Sequence, residues 1–194
     1  MKLVIVDRDG TLNHDSPDYI KSPDECRPIP GSLEAVARLG RGGYSVAVAT
    51  NQAGIGRGLF AAETLAAIHA KLQSAAGAAG GQIAGFFHCP HTPEALCACR
   101  KPQPGLLLEI ARHFGVSLTD VAMVGDTLRD LQAAVAAGAR PVLVLTGYGE
   151  RTRDEGGLPA GTQVFADLAA FALHLVPDSE LQQRYTQLHT DRKA

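Results

Sequence analysis

Two aspartates stand one residue apart near the start of the chain, Asp7 and Asp9, in the stretch "LVIVDRDGTL". Carboxylates that close repel, and neither is buried cheaply without a partner. Alone, the pair reads equally as a polar turn, since Asp and Gly are ordinary turn residues. Further groups change the balance. Thr50, Asn51 and Gln52 form "TNQ", Arg100 and Lys101 stand in "CRKP", Asp126 ends "VAMVGD", and Asp130 follows one helical turn later. Three carboxylates from two strands would repel unless a hard cation sat among them. An oxygen-only set suits Mg2+, which takes one or two carboxylates together with a phosphate oxygen. A hydroxyl and a lysine facing the same point suit the equatorial oxygens of a transferring phosphoryl group. Beside Mg2+ an ionised aspartate can serve as nucleophile, while a second protonates the leaving oxygen and later activates water. The close pair then has a purpose: one carboxylate attacks and the other handles protons, the cation helping to hold their pKa values apart.

A second cluster lies in "CPHTPEALCACRKP". Cys89, His91, Cys97 and Cys99 form a C-x-H-x5-C-x-C set. Three sulfurs and one nitrogen complete a tetrahedral Zn2+ site with no position left for substrate, so the zinc is structural. Such an ion replaces a core beneath a loop too polar to fold alone. Its last ligand precedes Arg100 and Lys101 directly, so the metal sets where those cations point. Cys26 lies far off in sequence and reads as packing, as does His88.

These groups need a scaffold that gathers them. Apolar runs at 2–7, 44–50, 83–89, 121–126 and 141–146, with a shorter one at 162–166, alternate with helix-period stretches at 32–43, 61–80, 104–115, 127–138 and 167–176. Continuous apolar strands separated by helices predict an α/β fold: a Rossmann-like, doubly wound, mainly parallel sheet of about five or six strands, covered on both faces. In such sheets ligands bind outside the carboxyl ends of the strands. Each of the first four predicted strands ends in a polar or charged group, which argues for a site at that edge. No insert is large enough for a second, capping domain. The expectation is one domain over 1–176, with a zinc loop at 88–102 and a polar C-terminal tail at 177–194. The longest irregular stretch before the tail, 13–30, carries Asn13, Asp15 and Tyr19.

The composition narrows the function classes. The 194 residues are 45% hydrophobic and 20% charged, with a formal net charge of -2. No basic stripe points to nucleic acid and no polybasic segment to a membrane surface. No run approaches the length of a membrane-spanning helix, and the N-terminus lacks the pattern of a signal peptide. A cytoplasmic location is the expectation.

The order "DRDGT", "TN", lysine, "GDxxxD" resembles the haloacid-dehalogenase superfamily of phosphotransferases over most of the chain. The resemblance implies that Asp7 is the nucleophile that becomes an aspartyl phosphate, and that Asp9 is the general acid/base and lends a backbone carbonyl to Mg2+. It implies that Thr50 and Lys101 stabilise the phosphoryl group, that Asp126 is the Mg2+ carboxylate, and that Asp130 orients Lys101. The zinc loop, the missing cap and "NQAGIGRG" are similar to the D-glycero-D-manno-heptose 1,7-bisphosphate phosphatases of lipopolysaccharide-core synthesis. The histidinol-phosphate phosphatases share the zinc loop, and the x5 spacing between His91 and Cys97 also suits them. For a phosphorylated sugar the resemblance implicates Asn13, Asp15 and Tyr19. Asn51 and Gln52 are further candidates for substrate contact, and the bidentate fork of Arg100 suits the phosphate that is not cleaved. A monomer is the expectation. A phospho-acceptor signalling domain also uses Asp, Thr and Lys at strand ends, but it needs no second aspartate beside the first.

Overall fold

The computed structural model describes residues 1–179. Most of the expected tail, residues 180–194, lies outside the described residues.

Six strands form a single sheet: β1 (Lys2–Val6), β2 (Tyr44–Asn51), β3 (Ile83–Cys89), β4 (Ala122–Gly125), β5 (Arg140–Val144) and β6 (Gln163–Phe165). Their order is β3-β2-β1-β4-β5-β6, and every neighbouring pair is parallel. The expected doubly wound sheet is therefore found, with six strands and no antiparallel edge among the described residues. The chain leaves β1 toward β2 on one side and later returns to β4 on the other. The switch point lies between β1 and β4, where the parting connections open a crevice above the strand ends.

Seven helices are described: α1 (Ser32–Arg41), α2 (Ala53–Gly56), α3 (Ala62–Ala78), α4 (Gly105–Phe114), α5 (Leu128–Ala137), α6 (Gly149–Glu155) and α7 (Leu168–Leu175). The alternation of side chains along a strand builds two cores. Val4, Val6, Val46 and Val48 face one way and pack with Leu33, Val36 and Leu39 of α1, Ile68 and Leu72 of α3 and Phe171 of α7. Leu3, Ile5, Ala47 and Ala49 face the other way, against Leu106, Leu107 and Ile110 of α4 and Ala133 and Ala134 of α5. Glycines in the left-handed region end α4 at Gly115 and α5 at Gly138, where only glycine turns without cost.

The short helices α2 and α6 had no counterpart in the sequence pattern. Each spans too few residues to show a helical period. Both sit just beyond the carboxyl end of a strand, on the rim of the crevice. Among the described residues no helix is long and apolar enough to cross a membrane.

Candidate active site

The crevice has a volume of ≈ 730 Å³, and its lining includes Asp7, Asp15, Tyr19, Arg100, Lys101 and Asp126. Asp7 is the first residue past β1, and its backbone N–H donates to the Val124 carbonyl of β4 at 2.8 Å, tying the two central strands together. Its Oδ1 accepts from the Arg8 backbone N–H at 2.7 Å and from Lys101 Nζ at 2.9 Å. Lys101 is almost wholly buried. Its ammonium also reaches Asp130 Oδ1 at 2.6 Å and donates to the Ala49 carbonyl at 2.6 Å. Three donors on one nitrogen and three acceptors, two of them charged, leave the lysine a fixed position. Burial opposes its charge, but Asp130 and Asp7 outweigh that and hold the ammonium above its ordinary range.

Asp130 opens α5 as half of a capping box. Its Oδ2 accepts from the Thr127 backbone N–H at 3.0 Å and from the Thr127 hydroxyl. Burial alone would raise its pKa, yet Lys101 and Thr127 pull it below the usual carboxylate range. Its oxygens are thus engaged, one on the lysine and one on the helix start.

Asp126 is held differently. Tyr148 N–H, at the start of α6, donates to its Oδ2 at 2.8 Å, and the Thr152 hydroxyl donates to its backbone carbonyl at 2.8 Å. Its Oδ1 is buried with no hydrogen-bond partner among the described residues. Gly10, at φ +79°, and Gly147 press against this carboxylate so closely that a Cβ at either would collide with it. Burial first, then Asp130 and Asp7, push Asp126 up to about 8; burial first, then Asp130, pushes Asp7 up to about 7. Oxygens of Asp7, Asp126 and Asp130 lie within 4.8 Å of one another. Crowded, desolvated and repelling oxygens, one of them orphaned, fit a hard divalent cation. With Asp130 committed to Lys101, the protein carboxylates free for it are Asp7 and Asp126.

Asp9 faces four donors. Arg8 forks onto it, Nε to Oδ1 and Nη2 to Oδ2, both at 2.9 Å. Asn13 Nδ2 donates to Oδ1 at 2.8 Å and Gln52 Nε2 to Oδ2 at 2.9 Å. Gln52 also donates to Thr50 Oγ1 at 2.8 Å, which leaves the buried hydroxyl its own proton to donate.

The zinc loop leaves β3 at Cys89. The sulfurs of Cys89, Cys97 and Cys99 are 3.2–3.5 Å apart, and His91 Nδ1 lies 3.4 Å from Cys99 Sγ and 3.6 Å from Cys89 Sγ. A tetrahedron of ligands about 2.3 Å from zinc has edges of about 3.8 Å, so the four atoms stand slightly tighter than a filled site requires. Burial first, then the Cys99 thiol, pushes Cys89 up to about 12. Three sulfurs this close can ionise together only with a cation between them. Cys26 is buried in the core, remote from the set, as the spacing predicts.

The HAD-hydrolase-like family model matches residues 98–171. A D-glycero-beta-D-manno-heptose-1,7-bisphosphate 7-phosphatase of Bordetella bronchiseptica is 52% identical over 92% of this chain and all of its own length. That of Pseudomonas putida is 51% identical over 91% of this chain and all of its own. The chain belongs to this heptose-bisphosphate phosphatase family. The D,D-heptose 1,7-bisphosphate phosphatase of B. bronchiseptica, solved with magnesium and phosphate, superimposes with a TM-score of 0.89 at 54% identity, covering 90% of this chain and 98% of that one. The Burkholderia thailandensis enzyme gives 0.73 at 49% identity, over 92% of this chain and all of the other.

Seen within this phosphatase family, the residues expected at the site divide into two groups. Asp7, Thr50, Lys101, Asp126 and Asp130 converge, and Asp15, Tyr19 and Arg100 line the same crevice. Three residues expected to touch sugar stand elsewhere in the hydrogen-bond network. Asn13 is fully buried, off the crevice, and its amide holds Asp9 and the His14 carbonyl. That corrects its place from the pocket to the layer behind it. Asn51 and Gln52 border the crevice, but their amides are engaged: Asn51 exchanges two hydrogen bonds with the Lys101 backbone, at 3.0 and 3.1 Å, and Gln52 bridges Asp9 and Thr50. Arg8 carries no signal in the sequence, where a side chain between two acids reads as spacer. Tyr148 and Thr152 carry no signal either, because they reach Asp126 from a helix with no sequence signature.

Proposed function

We propose that this chain is a Mg2+-dependent phosphatase that removes the 7-phosphate of D-glycero-β-D-manno-heptose 1,7-bisphosphate through an aspartyl-phosphate intermediate. The observation that carries the reading is identity near 50% over whole chains with phosphatases named for that substrate. The buried group of Asp7, Asp126 and Lys101 supplies chemistry to match. Magnesium, held by Asp7, Asp126 and the Asp9 carbonyl, neutralises charge on the transferring phosphoryl group. Oδ2 of Asp7, the oxygen that Lys101 and the Arg8 amide do not take, attacks phosphorus. Lys101 and the Thr50 hydroxyl hold equatorial oxygens of the phosphoryl group. Asp9 protonates the leaving sugar oxygen, then takes a proton from the water that hydrolyses the aspartyl phosphate. Asp130 serves Lys101 and binds no metal. Asp15 and Tyr19 wall the sugar, and Arg100, which now donates to the His91 carbonyl at 3.2 Å, reaches the distal phosphate. Residues 1–176 act as one domain, a cytoplasmic monomer whose 88–102 loop is clasped by zinc.

Phosphate release with Mg2+ against both anomers of heptose 1,7-bisphosphate, fructose 1,6-bisphosphate and histidinol phosphate tests this. The β-heptose anomer is expected to give the highest kcat/KM. A preference for histidinol phosphate would keep the catalytic residues and overturn the substrate.

A further inference from the structure

The residue between the two aspartates is a buried arginine. Arg8 is 1% exposed, and the one ion pair it makes among the described residues is with Asp9. A guanidinium is always charged, and burying it unpaired is costly. Here both ends of the fork meet both oxygens of one carboxylate, at 2.9 Å each. That geometry specifies direction as well as charge, because two parallel bonds fix the plane of the carboxylate. The supporting contacts come from separate elements: Asn13 from the loop after β1, and Gln52 from the exit of β2. Burial and then the arginine's charge hold His69 well below its usual range, at about 3. The guanidinium's remaining nitrogen, Nη1, is buried without a partner. A side chain kept purely for packing would not carry an unmatched donor when an apolar residue of similar volume could fill the space.

We infer that Arg8 is a positioning residue whose function is to fix the plane and place of the Asp9 carboxylate. The inference rests on the reading of Asp9 as the acid/base. Proton transfer demands a donor and acceptor within hydrogen-bond reach, and a displacement of about 1 Å can cost about 10²-fold in rate. Arg8 borders the crevice, but its guanidinium is buried and turned onto Asp9. Its loss falls on kcat and leaves KM in place.

The test is a double-mutant cycle on kcat and KM with Arg8→Gln, Arg8→Lys, Asp9→Asn and Asp9→Asn/Arg8→Gln, folding being followed by thermal melting and Mg2+ affinity by titration. Arg8→Gln is expected to lower kcat about 100-fold with KM changed less than about twofold. Arg8→Lys keeps the charge without the fork and should recover roughly a tenth of the wild-type kcat. In the Asp9→Asn background the Arg8→Gln change should cost less than about threefold, because its target is gone. Additive losses, a rise in KM at constant kcat, or a lysine variant as fast as wild type would each overturn the inference. If Arg8→Gln does not fold, the lysine variant alone decides, on the same kcat and KM criteria. Should heptose bisphosphate prove not to be the substrate, the cycle is run on whichever phosphomonoester the wild type hydrolyses, so a wrong substrate and a wrong role for Arg8 give different results.

Discussion

The two clusters that could hold a metal ion are built on opposite principles. The carboxylates at the ends of β1 and β4 are set on strands buried on both faces, and the sheet holds them together against their mutual repulsion. Asp126 is pinned by Tyr148 and by two glycines, and Lys101 by three acceptors. The zinc loop has almost no apolar cover: Leu96 at its tip is 91% exposed, on a left-handed backbone at φ 46°. There a few hydrogen bonds, such as Arg100 to the His91 carbonyl and Asn51 to the Lys101 backbone, are the other restraints, and the ligands carry most of the load. In the first region the fold supplies the site and a metal would supply chemistry; in the second a metal would supply the fold. The two meet at Lys101, two residues beyond Cys99. A loop with its own staple can deliver a buried cation to a site built by the sheet.

Breaking the first region should abolish catalysis and spare the fold. Asp7→Asn is expected to lower kcat at least about 10⁴-fold while zinc content and melting temperature hold or rise, because a repelling charge is removed. Phosphate release, metal analysis and a thermal melt check this, and retained turnover would refute the nucleophile assignment. Breaking the second region should do the reverse. Cys97→Ser is expected to lose zinc and to lower the melting temperature by roughly 5–10 °C, with a drop in kcat of about tenfold as Lys101 loosens. An unchanged melt would remove the zinc clasp from the account.

The comparison sharpens with pH. Asp7 and Asp126 sit at about 7 and about 8 without metal, well above the ordinary carboxylate value. Groups raised on folding contribute stability that is complete below about pH 4 and lost as pH climbs through 7 and 8. Asp130 is shifted the other way, so its contribution is constant above about pH 4. The Mg2+-free protein should therefore melt a few degrees lower at pH 9 than at pH 5, and saturating Mg2+ should remove the difference. Magnesium affinity should weaken on acidification from pH 9 to pH 6, as calorimetry with proton-release measurements would show. The smallest effect is expected where the two regions are joined. Asn51→Ala deletes the two bonds to the Lys101 backbone and should lower kcat about three- to tenfold without loss of zinc.

The sequence alone determined the strand-helix alternation, the parallel sheet and the polar groups that follow its first four strands. It determined these because apolar periodicity and residue type are local properties that survive without a structure. The C-x-H-x5-C-x-C set was legible for the same reason, since a closed loop forces its ligands to be near in sequence. The sheet order, which seats Asp7 beside Asp126, is not encoded in that pattern; only the gathering of the strand ends at one edge follows from the general rule for such folds. Only the tertiary structure decided which polar side chains face the crevice and which stand behind it. Asn13, Asn51 and Gln52 have the same donor chemistry whether they bind a sugar or hold Asp9 and Lys101. Arg8 looks like filler until its guanidinium is found buried on a carboxylate. Direction and burial belong to the packed chain, and no residue type encodes them by itself.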